Sequence, residues 1–236
     1  MKKRAFALAC ALLMIFTGLA LAQENWQRPF NKDQGYSYVT FGQYPFEADG
    51  TARPLLWRYL ETREGVSYLM SEYILHVSRI HNIAQGYPGW DEADLNAWLQ
   101  EEFVKKAFSE EAAAALFEME GLGRVSLPSS DDVKNKAFGF ENDKARRAIG
   151  TPWADENGLF FYRNKGHSPY WMRTPSNQKY AHRSIKLEGN LGYLGVTAED
   201  MGVRPVIWLV DSMLEVSGGS GSMTDPFMLV PKTQGE

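Results

Sequence analysis

The sequence predicts one mixed α+β domain, with its helices gathered in the first half and long loops in the second. Three observations lead there. Runs rich in aromatic and β-branched residues, such as Tyr36-Ser37-Tyr38-Val39-Thr40-Phe41, alternate as strands do. Leu95, Trp98, Leu99 and Phe103 recur at helical spacing and form one apolar stripe. Beyond Gly150, Pro, Gly, Asn and aromatics replace any helical period as far as Tyr180.

Residues 23–34 are polar and lack apolar periodicity, so the segment up to 35 reads as an N-terminal arm. The first strand covers 36–41, and Gly42-Gln43-Tyr44-Pro45 is expected to break it. Residues 55–60 and 66–71 make two further strands, joined by a polar, Gly-containing connection of hairpin length. The helix with the Leu95 stripe starts among Asp91, Glu92 and Asp94, where the helix dipole favours acids. Ser109 is an N-cap for a second helix, with Glu110 and Glu111 in its first turn; residues 112–119 continue it and Gly121 stops it. Ser129 or Ser130 caps a third, short helix through Asp131 and Asp132. In the loop-rich half, strands are expected at 159–162, 170–173, 180–187 and 202–210. Pro205 belongs at an edge or a strand start, because it has no N–H for the ladder. Ser217-Gly218-Gly219-Ser220-Gly221-Ser222 is a flexible turn or linker ahead of a last short strand at 226–230. The resulting division is a leader over 1–22, an arm over 23–35, the α+β domain over 36–211 and a Gly/Ser-containing tail over 212–236.

The leader and the charge bound the function. Lys2, Lys3 and Arg4 precede an apolar run from Ala5 to Leu21, and Ala20-Leu21-Ala22 supplies the small residues a signal peptidase reads. A secretory signal peptide cleaved before Gln23 is therefore expected. The competing reading, an uncleaved anchor, asks for about 20 apolar residues, and this run is shorter. The expectation is an exported, bacterial-type protein, secreted or periplasmic, with no stable membrane insertion after cleavage. Cleavage removes Cys10, the single cysteine, and with it any disulfide, thiol nucleophile or Cys-ligated metal. It also removes three basic residues, taking the formal charge from −4 to −7. An acidic surface argues against nucleic acid as a partner.

Motifs for chemistry are sparse. The histidines are His76, His81, His167 and His182, and none pairs with another at metal-ligand spacing. There is no Gly-x-Ser-x-Gly elbow and no phosphate-cradling Gly-rich loop. Acid pairs such as Glu118 with Glu120 or Asp131 with Asp132 are the usual content of a solvated face, and catalytic carboxylates need a separation across a cleft. No catalytic residue, metal or cofactor is assigned. The densest unusual segment is His167-Ser168-Pro169-Tyr170-Trp171-Met172-Arg173-Thr174-Pro175-Ser176-Asn177. Flat aromatic faces beside an Arg and an Asn are what a sugar or peptide site uses. The candidate ligand-binding residues are Tyr162, His167, Tyr170, Trp171, Arg173 and Asn177. For Trp171 and Arg173 the competing, favoured reading is core packing and a buried hydrogen-bond network. Strand alternation puts Tyr170 and Trp171 on opposite faces.

The ordered motifs also carry a resemblance. Phe41-Gly42-Gln43-Tyr44-Pro45 with Trp57, Leu95-Asn96-Ala97-Trp98-Leu99-Gln100-Glu101-Glu102-Phe103, Val125-Ser126-Leu127-Pro128-Ser129, Thr151-Pro152-Trp153-Ala154, Tyr170-Trp171-Met172-Arg173-Thr174-Pro175 and Gly202-Val203-Arg204-Pro205 follow one another along the chain. Together they resemble the bacterial exported domains known as domain of unknown function 6273. The last two motifs are similar to formylglycine-generating-enzyme-like domains, which implies a C-type-lectin-like fold with N- and C-terminal strands paired, here 36–41 with 203–210. The copper-binding cysteines of that enzyme are absent, so its oxidase chemistry does not carry over. The functional expectation is an exported, non-catalytic domain that binds a glycan, peptide or cell-envelope component through residues 162–177. The alternatives are an envelope-polymer hydrolase using paired carboxylates and a purely structural scaffold.

Overall fold

Alternation in the first strands decides the architecture. In the computed structural model, which describes residues 26–162 and 166–232, β1 (Tyr38–Pro45), β2 (Ala52–Arg63) and β3 (Val66–Ser71) form an antiparallel meander. Glu64 and Gly65 sit at φ 50° and 75°, a two-residue turn whose twist matches the strands it joins. Later strands follow in chain order: β4 (His76–Val77), β5 (Val125–Ser126), β6 (Tyr170–Pro175), β7 (Ala181–Ile185), β8 (Leu191–Gly195), β9 (Gly202–Val203), β10 (Val206–Val210), β11 (Leu214–Gly218) and β12 (Phe227–Pro231). They complete a seven-stranded sheet ordered β11-β12-β1-β2-β3-β10-β5 and a five-stranded sheet ordered β4-β9-β6-β7-β8. The mixed α+β class holds, with strands dominant and helices few and short.

Several elements differ from expectation for local physical reasons. Gly42 does not end β1. It takes φ 73° and shifts the register between Thr40 and Gln43, and a Cβ there would lie 2.6 Å from the Ala107 carbonyl. The glycine thus bends the strand and admits the helix end against it. That helix runs through Asp94–Trp98, a π-helical turn at Leu99–Phe103 and Val104–Ala107, burying Leu95, Leu99, Phe103, Val104 and Ala107. The second helix is only Glu110–Ala114, capped by the Ser109 hydroxyl accepting from the Ala112 N–H. It stops early because the chain turns to pair with β10: Leu116 bridges Leu209, and the Phe117 N–H bonds the Trp208 carbonyl. Ser129 does cap the third: its hydroxyl accepts from the Asp132 N–H, and the Asp132 carboxylate accepts from the Ser129 N–H.

The second half is more regular than a set of loops. Helices Asp143–Arg146 and Pro152–Glu156 start at the side-chain caps of Asn142 and Thr151, in stretches with no period to betray them. No strand forms at 159–162. The expected 202–210 strand is two strands in different sheets, with Arg204-Pro205 between them. The terminal strands do pair, but through β1 and β12 in parallel, Val39 opposite Phe227; β10 instead lies between β3 and β5. Both strands after residue 211 belong to the larger sheet. The arm packs too, with Trp26 buried edge-on against Tyr59. The expected leader over 1–22 lies outside the described residues. Among those described, no helix is long and apolar enough to cross a membrane.

Two apolar cores result. Trp57, Leu69, Ile207 and Leu209 face the helices and Trp171; Met70, Val206 and Trp208 face Tyr170, Met172, Ile185 and Phe138. β6 and β10 feed alternate residues to each, as the two-residue strand period requires.

Candidate functional site

The pairing of β10 with β3 builds the floor of a cavity. Trp208 lies opposite Tyr68 in the ladder, and their rings stack at 5.1 Å between centroids and 11° between planes. Phe138 meets Tyr68 edge-on. The walls come from the β2–β3 hairpin (Glu61, Arg63, Glu64, Val66), the segment after the second helix that runs beside β10 (Phe117, Met119, Leu122) and the capped turn bearing Asp131, Asp132 and Asn135. The enclosed volume is about 650 Å³, within the range of small-molecule sites.

Polar groups are fixed at one end. The Tyr68 hydroxyl donates to Asp132 at 2.8 Å, and Arg173 pairs with the same carboxylate at 3.1 Å. Burial first, and Asp132 second, push the Tyr68 phenol well above its ordinary pKa, so it stays a donor. Arg173 also donates to the Leu127 carbonyl, and its own N–H bonds the Pro128 carbonyl. One arginine thereby holds the segment that carries Asp131 and Asp132 against β6.

The six residues singled out from sequence do not gather into one face. Arg173 lines the cavity. Tyr170 and Trp171 do point to opposite faces of β6, but both faces are covered and each side chain is fully buried. Tyr170 donates to the Arg146 carbonyl, and the Trp171 indole donates to the Ser78 carbonyl, both at 2.8 Å. His167 is buried, while Tyr162 and Asn177 are exposed. The aromatic density of this segment reflects core packing, as the competing reading held for Trp171. Sequence reasoning missed Tyr68 and Trp208. Both lay in expected strands, but their stacking depends on which strands become neighbours.

His182 forms a second polar cluster. It is fully buried with Tyr87 and Trp90 rings 6.0 Å away. Its Nδ1 faces the Met172 carbonyl at 2.8 Å, which can only accept, so Nδ1 carries the proton and Nε2 is an acceptor. The Nε2, the Tyr87 hydroxyl and the Trp90 N–H have no hydrogen-bond partner among the described residues. Burial lowers the His182 pKa from 6.5 to about 4. The unfolded chain therefore takes up a proton near pH 6.5 that the folded chain refuses until about pH 4, so stability falls as pH falls across that window. Between pH 7 and pH 5 this one group is expected to cost about 2 kcal/mol. Urea titrations at both pH values should show His182→Asn losing about 2 kcal/mol less than the parent. Equal losses would contradict the assignment.

Two other surfaces compete with the cavity. Phe160, Tyr193 and Leu194, each over 40% exposed, line a hollow of about 270 Å³ beside edge strand β8. A hollow of about 720 Å³ lies among Ser109, Glu111, Ala114, Ser212, Met213, Pro231 and Lys232, with no aromatic face. Among the described residues no group of three or more His, Cys, Asp or Glu could hold a metal ion.

Fold and cavity define a two-sheet α+β domain with an aromatic-floored, carboxylate-rimmed hollow. The chain belongs to the family described as Domain of unknown function (DUF6273), whose sequence profile matches residues 64–211. All of the cavity lining except Glu61 and Arg63 falls inside that span, whereas Ser212, Met213, Pro231 and Lys232 of the 720 Å³ hollow fall outside it. No curated protein and no solved structure is matched by the chain.

Proposed function

We propose that this chain is an exported, non-catalytic binding domain, C-type-lectin-like in fold, which takes a glycan, peptide or cell-envelope component in the Tyr68–Trp208 cavity. The leader at 1–22, cleaved before Gln23, would deliver it to the periplasm or medium. The observation that carries the reading is the cavity itself: aromatic and other apolar side chains beside polar groups that the fold already holds in place. The adjacent terminal strands β1 and β12 agree with the lectin-like outline. Asp132 is committed to Tyr68, Ser129 and Arg173, a positioning role rather than that of a free catalytic acid. This shifts the proposed contact surface from residues 162–177 to the cavity, with Arg173 common to both.

A binding screen of glycans and cell-wall fragments on the chain tests it, with two exposed-residue variants. Phe117→Ala removes an apolar wall of the cavity, and Tyr193→Ala alters the hollow beside β8. Saturable binding weakened roughly tenfold by Phe117→Ala and unchanged by Tyr193→Ala is expected. The opposite pattern would move the site to β8, and no binding at all would leave the scaffold reading.

A further inference from the structure

The cavity walls carry four carboxylates, Glu61, Glu64, Asp131 and Asp132, against two guanidiniums, Arg63 and Arg173. Both guanidiniums are engaged: Arg63 bonds Glu61 at 3.0 Å, and Arg173 bonds Asp132 and the Leu127 carbonyl. Those pairs balance Glu61 and Asp132. Glu64, on the hairpin turn, and Asp131, on the capped turn, are exposed and form no ion pair among the described residues. Two uncompensated negative charges therefore stand at the rim of a cavity whose floor is the Tyr68–Trp208 stack. The chain's formal charge of −4 adds a field of the same sign.

We infer, resting on the reading of this cavity as the binding site, that its ligand is cationic: a protonated amine on a ring body, drawn to Glu64 and Asp131 with its apolar side against the aromatic floor. An acetylated or anionic ligand of the same shape forfeits that attraction. Exposed charge pairs are individually weak, so the selection comes from the two carboxylates acting together on one amine.

Calorimetric titration of the chain with glucosamine oligosaccharides and with N-acetylglucosamine oligosaccharides of equal length separates charge from shape. The amine form is expected to bind about tenfold more tightly, with an advantage that shrinks as salt is added. The double variant Glu64→Gln, Asp131→Asn should abolish that advantage, so that the two forms bind alike; both positions are exposed, and a matching melting temperature confirms an intact fold. Equal affinity for the two oligosaccharides would overturn the charge inference while the cavity reading stands. An amine preference that survives the double variant would place the selection elsewhere and overturn it as well. No binding of either would remove both.

Discussion

Trp171→Ala is expected to lower the stability of the chain by about 3–5 kcal/mol, the cost of emptying a fully buried indole site. The side chain lies in the core shared by the helices and the larger sheet, while its neighbours Tyr170 and Met172 lie in the other core. Its loss opens a cavity and also leaves the Ser78 carbonyl without the indole donor. For a domain whose total stability is of order 5–15 kcal/mol, the variant should melt roughly 10 °C lower. Trp171→Phe keeps most of the volume and should recover more than half of the loss. Thermal melts of the three proteins check this. An alanine variant that melts with the parent would mean that Trp171 is not a core residue and would reopen the 162–177 segment as a contact surface.

The second large effect belongs to Arg204, which is fully buried in the two-residue crossing from β9 to β10. Its Nε donates to the Ser71 carbonyl at 2.8 Å, and its guanidinium lies 5.3 Å from the Tyr170 ring centre. Nearby, Arg58 forms a bidentate pair with Glu72. The buried Nη2 of Arg204 has no hydrogen-bond partner among the described residues, and desolvation lowers the group's pKa. Arg204→Ala should cost about 3–5 kcal/mol, through the cavity and the unpaired Ser71 carbonyl. Arg204→Met fills the volume without a buried charge and should recover most of that, whereas Arg204→Lys retains the charge without the fork and should not. Denaturant midpoints that rank Lys above Met would show that the charge, rather than the packing, holds the two sheets at this point.

These two residues show what a sequence can disclose. Core packing is legible for Trp171, and alternation correctly sends Tyr170 and Trp171 to opposite faces, but nothing in the Gly202-Val203-Arg204-Pro205 motif tells that Arg204 is buried. Periodicity could not say that a second core lay on the far side. The short helices at Asp143–Arg146 and Pro152–Glu156 are too brief to show a helical period, although Asn142 and the Thr151-Pro152 pair were legible start signals. Gly42 read as a terminator because a bulge and a turn ask for the same residue. Of the cavity, Arg173 is legible as a candidate, while Asp131 and Asp132 read only as the start of a short helix and as an acid pair on a solvated face. Tyr68 and Trp208 lie 140 positions apart in sequence and become a stack only through the β3–β10 register. That register is a tertiary fact, set by which faces are buried.

Hydrogen–deuterium exchange on the chain, with and without saturating glucosamine or N-acetylglucosamine oligosaccharide, tests the cavity most directly. The account predicts slowed exchange confined to the segments that wall and floor it, 61–68, 117–122, 131–138 and the strands around Arg173 and Trp208. Slowed exchange at 191–195 and 160–162 instead, with those segments unaffected, would contradict it and assign binding to the hollow beside β8.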